Sequence, residues 1–189
     1  MTSDKERWNH RHVDRPTSTE VSEIVKKYAE RAKVGRALDI AAGVGRNTHF
    51  LADKGFVVDA VDYSDVALSK IKEIATINKI EADLDAYTFE QECYDLIVNC
   101  NYLDRRHFPL IKEALTEGGL LIFETFIATA GEGYHQPSNL DFVLRKNELL
   151  HAFIGLDIVY YEERDDVNNR GEKVRIASLV ARKKQFCQA

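Results

Sequence analysis

The chain has 189 residues, 44% of them hydrophobic and 10% aromatic, enough apolar side chain for one self-supporting core and too little for a second catalytic domain. Its 26 Lys and Arg stand against 31 Asp and Glu, a formal charge of -5 that excludes a general electrostatic attraction to nucleic acid or to an anionic membrane surface. Cys93, Cys100 and Cys187 make neither a C-x-x-C pair nor an even disulfide set, and no apolar run approaches the roughly 20 residues of a membrane span, so a reducing, cytoplasmic setting is expected.

The first 16 residues are polar and charged and carry no signal-peptide pattern. Beyond this arm Val21, Ile24, Val25, Tyr28 and Ala29 recur at helical spacing, with Thr17 and Glu20 spaced for a capping box at the start. Residues 36–41 (RALDIA), 56–61 (FVVDAV) and 94–100 (YDLIVNC) are short apolar runs that read as buried parallel strands. Residues 46–54 and 65–75 between them carry helical periodicity, the second with Ser64 as N-cap and Ala67, Leu68, Ile71 and Ile74 on one face. Residues 79–83 form a short strand candidate. Residues 108–115 read as a helix with Pro109 in its first turn, closed by Gly118 and Gly119. A strand over 120–126, an irregular stretch over 127–137 and a helix over 147–153 stopped by Gly155 follow. The last strands, 157–162 and 174–181, are separated by the polar stretch 165–172, too short for a crossover helix, so they pair as an antiparallel hairpin. The expected architecture is α/β, a single domain over 1–189 whose first five strands run parallel. A dehydrogenase-type sheet, by contrast, is built from two parallel halves.

Chemistry concentrates where the first strand gives way to a helix, at Asp39-Ile40-Ala41-Ala42-Gly43-Val44-Gly45-Arg46-Asn47. Small residues there let a ligand approach the backbone. Seventeen residues beyond Gly45, Asp62 closes the second strand, where a carboxylate accepts two hydrogen bonds from a ribose diol. The plainer reading is a tight turn and a solvated acid; the combination favours a nucleoside. A dinucleotide fingerprint wants a third small residue where Thr48 stands, which weakens the pyrophosphate reading. Asp39, four residues before Gly43, puts a carboxylate near the strand end and suits a ligand with positive charge, as S-adenosyl-L-methionine is.

With these segments in place, the chain resembles the class I S-adenosylmethionine-dependent methyltransferases, and among them the small tellurite-resistance-type methyltransferases. The resemblance rests on WNHR (8–11), ALDIAAGVGRN (37–47), VDAVDYS (58–64), EADL (81–84), YDLIVNCNYL (94–103), LTEGGLLIFETF (115–126) and VRIASLVARK (174–183). It implies a Rossmann-like three-layer sandwich with a mostly parallel seven-stranded sheet ending in an antiparallel hairpin of the sixth and seventh strands. Residues 1–34 would form an arm and helix covering the cofactor site. It implies S-adenosyl-L-methionine as cofactor and S-adenosyl-L-homocysteine as product. Asp39 and the backbone of Ala41, Gly43 and Gly45, with Asn47 in the same segment, would hold the methionine portion. Asp62 would take the ribose, Tyr63 and the neighbouring Ser64 the adenine side, and Asp83 the adenine amino group beside the Leu84 amide. Asn99 would lie along the methionine, and Trp8, Arg11 and Arg46 would cover the cofactor and pair its carboxylate. Ala41 stands where such proteins usually carry glycine, and His12 where their arms often carry an aromatic residue.

Ligands of open α/β sheets sit outside the carboxyl ends of the strands. That selects Asn101 and Tyr102, then Glu124 and Thr125, then Tyr134 and His135 in the following loop, as candidates for the acceptor side, with His135 a candidate base. The run His10-Arg11-His12-Val13-Asp14 has a metal-binding type of spacing but follows no apolar strand, so no metal is expected and a charged flexible arm is. The expected activity is methyl transfer to a small-molecule acceptor such as a thiol or a metalloid, with neither nucleic acid nor membrane as partner and monomer or homodimer left open. A cofactor-binding sensor or scaffold without turnover, and a nicotinamide-dependent oxidoreductase, are the alternatives.

Overall fold

The computed structural model describes residues 4–14, 18–168 and 170–185. Among the described residues seven strands form one sheet: β1 (Arg36–Ile40), β2 (Val57–Asp62), β3 (Ile77–Glu81), β4 (Tyr94–Cys100), β5 (Leu115–Phe126), β6 (Asp157–Val167) and β7 (Lys173–Arg182). Their order is β3-β2-β1-β4-β5-β7-β6. The first five pair in parallel, and β7 lies antiparallel between β5 and β6, as the short final connection requires.

Alternation along the strands assigns the two faces. Ala37, Val58, Leu96 and Val98 point to one side, where Ile24, Val25 and Tyr28 of α2 (Glu23–Tyr28) and Leu51 of α3 (Arg46–Asp53) cover them. Farther along that side Leu68 of α4 (Asp65–Ser69) and the following Ile71 pack on Ala60. Leu38, Ile40, Ile97 and Phe123 point to the other side, under Phe108 and Ile111 of α5 (His107–Ala114) and Leu149 of α6 (Glu148–Ala152). The rings of Phe108, Phe123 and Phe153 close this layer with centroids 5.3 to 6.0 Å apart. Truncating one of these phenylalanines to Ala removes transfer energy and leaves a cavity, a loss of about 3–5 kcal/mol. The three-layer α/β architecture with an antiparallel end is thus the one the sequence predicts.

Several local expectations need correction. Residues 4–14 are not a flexible arm but a helix, α1 (Asp4–Asp14). Its docking is largely polar, so it leaves no apolar stripe to read. Thr17 lies outside the described residues; Ser22 occupies the N-cap position of α2. The helix expected over 65–75 stops at Ser69, because the chain must turn for Thr76 O to accept from Val58 N and start β3, which begins two residues earlier than expected. Gly118 and Gly119 do not close α5. That helix runs straight into β5 at Leu115, which pairs with Tyr94, and the glycines lie in the strand where the register shifts. A Cβ on Gly119 would stand 2.8 Å from Tyr94 O. The final strands extend to Val167 and from Lys173, absorbing part of the supposed connector. No described helix is long and apolar enough to cross a membrane.

Candidate functional site

At the carboxyl end of β1 the chain turns through three left-handed residues, Ala41 (φ 53°), Gly43 (φ 57°) and Gly45 (φ 78°), before α3 begins. Glycine is required at 45, since a Cβ there would lie 2.7 Å from Ile71 Cγ1. Ala41 holds the same backbone region with a side chain, at a cost of about 1–2 kcal/mol. Asp39 does not face outward from the strand end. Its side chain shares the Ala37 face, is 2% exposed, and Oδ2 accepts from Thr48 Oγ1 at 2.6 Å. Burial pushes its carboxyl up to about 6, against the opposing pull of the Thr48 hydroxyl and the Arg46 charge. Thr48, counted against a dinucleotide fingerprint in the sequence, is the partner that holds this acid. Asn47 is also committed inward: Oδ1 accepts from Ser22 N at 3.1 Å and ties α2 to α3. Arg46 Nη1 donates to Glu20 O at 3.3 Å.

Asp62, at the end of β2, bridges the two neighbouring loops. Gly43 N donates to Oδ2 at 2.7 Å and Ser64 N to Oδ1 at 2.8 Å. An ionised carboxylate offers about four lone-pair positions, so each oxygen keeps one for a further donor. Ser64 caps α4 by accepting from Ala67 N, as the sequence predicts, and its hydroxyl donates to Asn9 Oδ1 at 2.6 Å. Asn9 in turn donates to Asp65 Oδ1, Lys5 pairs with Asp65 and Glu81, and Lys70 Nζ donates to His12 O at 2.6 Å. These contacts lay α1 across the glycine loop and the end of β2. His12 Cε1 lies 3.8 Å from where a Gly43 Cβ would be. Its Nδ1 is buried without a hydrogen-bond partner. Trp8 is 39% exposed, with the Arg11 guanidinium 4.9 Å from its ring centroid, and Tyr63 is half-buried. His10 and His12 are two residues apart on α1, which sets them roughly 200° apart around the helix and prevents a shared metal.

Asp83 is exposed and organises its own turn, Oδ1 accepting from Asp85 N at 3.0 Å. Leu84 is buried, and its carbonyl accepts from His107 Nε2 at 2.9 Å. Asn99, 2% exposed at the end of β4, donates through Nδ2 to Tyr102 O, while its Oδ1 is buried without a partner.

On the acceptor side Asn101 is left-handed (φ 61°) and its amide donates to Glu124 O at 2.8 Å. Tyr102 lies half-buried with its ring tilted on His107. Glu124 Oε2 accepts from Ser178 Oγ at 2.6 Å and from Arg164 Nη2 at 3.1 Å, so this carboxylate is already paired. Thr125 is 1% exposed. Tyr134 and His135 turn to the final hairpin: Tyr134 OH donates to Asp165, Lys173 Nζ sits over its ring, and His135 Nδ1 is 3.7 Å from Glu172. Beside α2, a cleft of about 460 Å³ lined by Lys26, Lys27, Tyr28, Tyr160, Glu162 and Arg164 contains none of the predicted acceptor residues.

The glycine loop, Asp62 and Ser64 are therefore brought together as expected, with Asn99 at the end of β4. Asp39 and Asn47 sit beneath the loop, and Tyr134 and His135 are drawn to the hairpin. Asn9 and Arg164 escape sequence reasoning, and Thr48 and His12 figure in it only in other roles. Strand alternation would have turned Asp39 toward the helix that carries Thr48, and the helical spacing of Asn9 and His12 only has meaning once α1 is known to be a helix.

A family model described as tellurite resistance protein TehB matches residues 1–179. A probable S-adenosyl-L-methionine-dependent methyltransferase TehB of Haemophilus influenzae is 28% identical over 167 residues, 79% of this chain and 57% of that protein. The chain thus spans a little over half the length of this curated relative. The crystal structure of TehB from Haemophilus influenzae superposes with a TM-score of 0.75 at 22% identity, covering 94% of this chain and 67% of the other. The [4+2]-cyclase SpnF has the same fold, with a TM-score of 0.68 at 16% identity over 90% of this chain and 85% of its own.

Proposed function

The chain belongs to the family of tellurite resistance protein TehB, and from that premise we propose that it is an S-adenosylmethionine-dependent methyltransferase acting on a small-molecule acceptor. The observation that carries this reading is Asp62, fixed by the Gly43 and Ser64 amides with one lone pair per oxygen left for a sugar diol. The residues fit the cofactor in two further ways. The unpartnered Asn99 Oδ1 supplies an acceptor for its ammonium group, and the left-handed turn at Gly43 leaves the loop backbone open to close approach.

When bound, the cofactor supplies an electrophilic methyl group on a sulfonium. The protein's part is then to align, desolvate and hold. Asp62 grips the ribose, Asn99 and the loop backbone orient the amino-acid end, and α1 excludes water from above. Glu124 is committed to Arg164 and Ser178, and His135 is tied to the final hairpin by its backbone amide, which donates to Lys173 O, so no base is assigned to either. The reading therefore favours an acceptor that reacts without losing a proton to the protein, such as a thiolate or a metalloid anion. The net charge of -5 fits a small acceptor better than a nucleic acid.

Titration calorimetry with S-adenosylmethionine, S-adenosylhomocysteine and NAD tests the cofactor, and a panel of thiols and metalloid oxyanions with product detection tests the acceptor. Micromolar binding of both adenosyl compounds together with methylated product supports the proposal. Binding of NAD in preference to them overturns it, and cofactor binding with no turnover on any acceptor leaves a sensor or scaffold instead.

A further inference from the structure

We infer that His12 is a cofactor-contacting residue, closing over the nucleoside site from α1 and bonding the bound cofactor through Nδ1. The inference deepens the proposed function and rests on it. Three observations on different elements converge on this ring. It packs 3.8 Å from the Cβ position of Gly43, the residue whose amide donates to Asp62. Its Nδ1 is buried and unpartnered although the neighbouring polar groups, Ser64, Asn9 and Asp62, are all bonded. Its backbone carbonyl is pinned by Lys70 Nζ, so the ring is held in place from just past the end of α4. A buried polar atom without a partner is destabilising, and one that borders a ligand site is satisfied when the ligand arrives.

The charged groups facing the ring are Asp62 from β2, Lys70 just past the end of α4 and Arg11 from α1 itself. Burial keeps the imidazole below its ordinary range, with the two cations acting in the same direction and Asp62 opposing them. His12 is therefore neutral at neutral pH. A proton taken up in acid places a second positive charge beside a site proposed to hold a sulfonium, and it does so far less harm to the uncharged thioether product. His12 thus discriminates between the two forms of the cofactor as pH falls, which Trp8, exposed and paired with Arg11, does not.

The test measures dissociation constants of S-adenosylmethionine and S-adenosylhomocysteine by calorimetry from about pH 8 to about pH 5 for the wild type, His12→Phe and His12→Gln. Circular dichroism and thermal melting check that each variant is folded. Loss of the Nδ1 contact in His12→Phe is expected to weaken both ligands about tenfold at neutral pH. His12→Gln, which keeps a hydrogen-bonding group and cannot titrate, is expected to stay within about threefold of wild type at neutral pH. The wild type is expected to lose at least about twofold more S-adenosylmethionine affinity in acid than this variant does. A folded His12→Phe with wild-type affinity, or a His12→Gln that keeps the full acid dependence, overturns the assignment. Failure of the wild type to bind either ligand overturns the proposed function itself, a separate outcome.

Discussion

Replacing Asp39 by Asn is expected to stabilise the fold, by an amount the structure sets. The carboxyl is 2% exposed and its ionised form is disfavoured by burial, so it titrates at about 6 instead of 3.8. The folded state therefore holds its proton more tightly than the unfolded chain does. The unfolded state binds fewer protons between these two values, and stability falls as pH rises through that window. Below the lower value the contribution vanishes; above the upper one it is complete, at roughly 3 kcal/mol. Asn avoids this cost and still offers an oxygen to Thr48 Oγ1. For a chain of this length each kcal/mol moves the melting temperature by about 2–4 °C, so a rise of about 6–12 °C is the upper expectation near neutrality. Thermal and urea unfolding of both proteins across the acid range would measure it, reading the difference between variant and wild type so that other titrating groups cancel. The difference should open between pH 4 and 6 and stay level above. An Asn variant whose stability falls further below the wild type as pH rises through that window would refute the reasoning, because the carboxylate would then be a net favourable partner of Thr48 and Arg46.

Asp62→Ala removes the group proposed to take the ribose and leaves the Gly43 and Ser64 amides without their acceptor; cofactor affinity should fall by about 1.5–3 kcal/mol in calorimetry, and unchanged affinity would contradict the role. Ala41→Gly relieves a left-handed side chain worth about 1–2 kcal/mol and adds about 0.4–1 kcal/mol of unfolded-state entropy, so urea denaturation should show a net gain of up to roughly 1.6 kcal/mol. Ser64→Ala deletes both the cap of α4 and the bond to Asn9. A loss of about 1 kcal/mol in stability is expected, together with faster amide exchange throughout α1, whereas an exchange rate confined to α4 would mean that α1 is held by other contacts.

The parts of the fold legible in the sequence are those where one physical signal dominates. β1, β2 and β4 are buried on both faces, so RALDIA, FVVDAV and YDLIVNC, which overlap them to within a residue at each end, read as short apolar runs whatever surrounds them. Gly118 and Gly119 misled because a glycine pair after a helix has two uses. It ends helices, but here it lets β5 pass within contact of Tyr94 O, a requirement set by a strand distant in sequence. α1 was unreadable for the opposite reason. With Lys5, Asn9 and the His12 carbonyl making its contacts, the helix is held by partners on α4 and β3 that no local pattern announces.

The candidate site divides along the same line. Asp62 and Ser64 act through backbone amides within a few residues or at the adjoining loop, so their position at a strand end already fixes what they do. Asp39 is also at a strand end, yet its role is decided by parity: it points with Ala37 toward α3, and the residue waiting there is Thr48. The consequence reaches beyond one hydrogen bond. Held at about 6 beneath the loop, Asp39 adds its full negative charge to the site only above that pH. A cation entering above the loop favours ionisation of the buried acid, so part of its attraction is created on arrival. On the proposed reading this favours a positively charged nucleoside over a phosphorylated one, whose negative charge would oppose ionisation of Asp39.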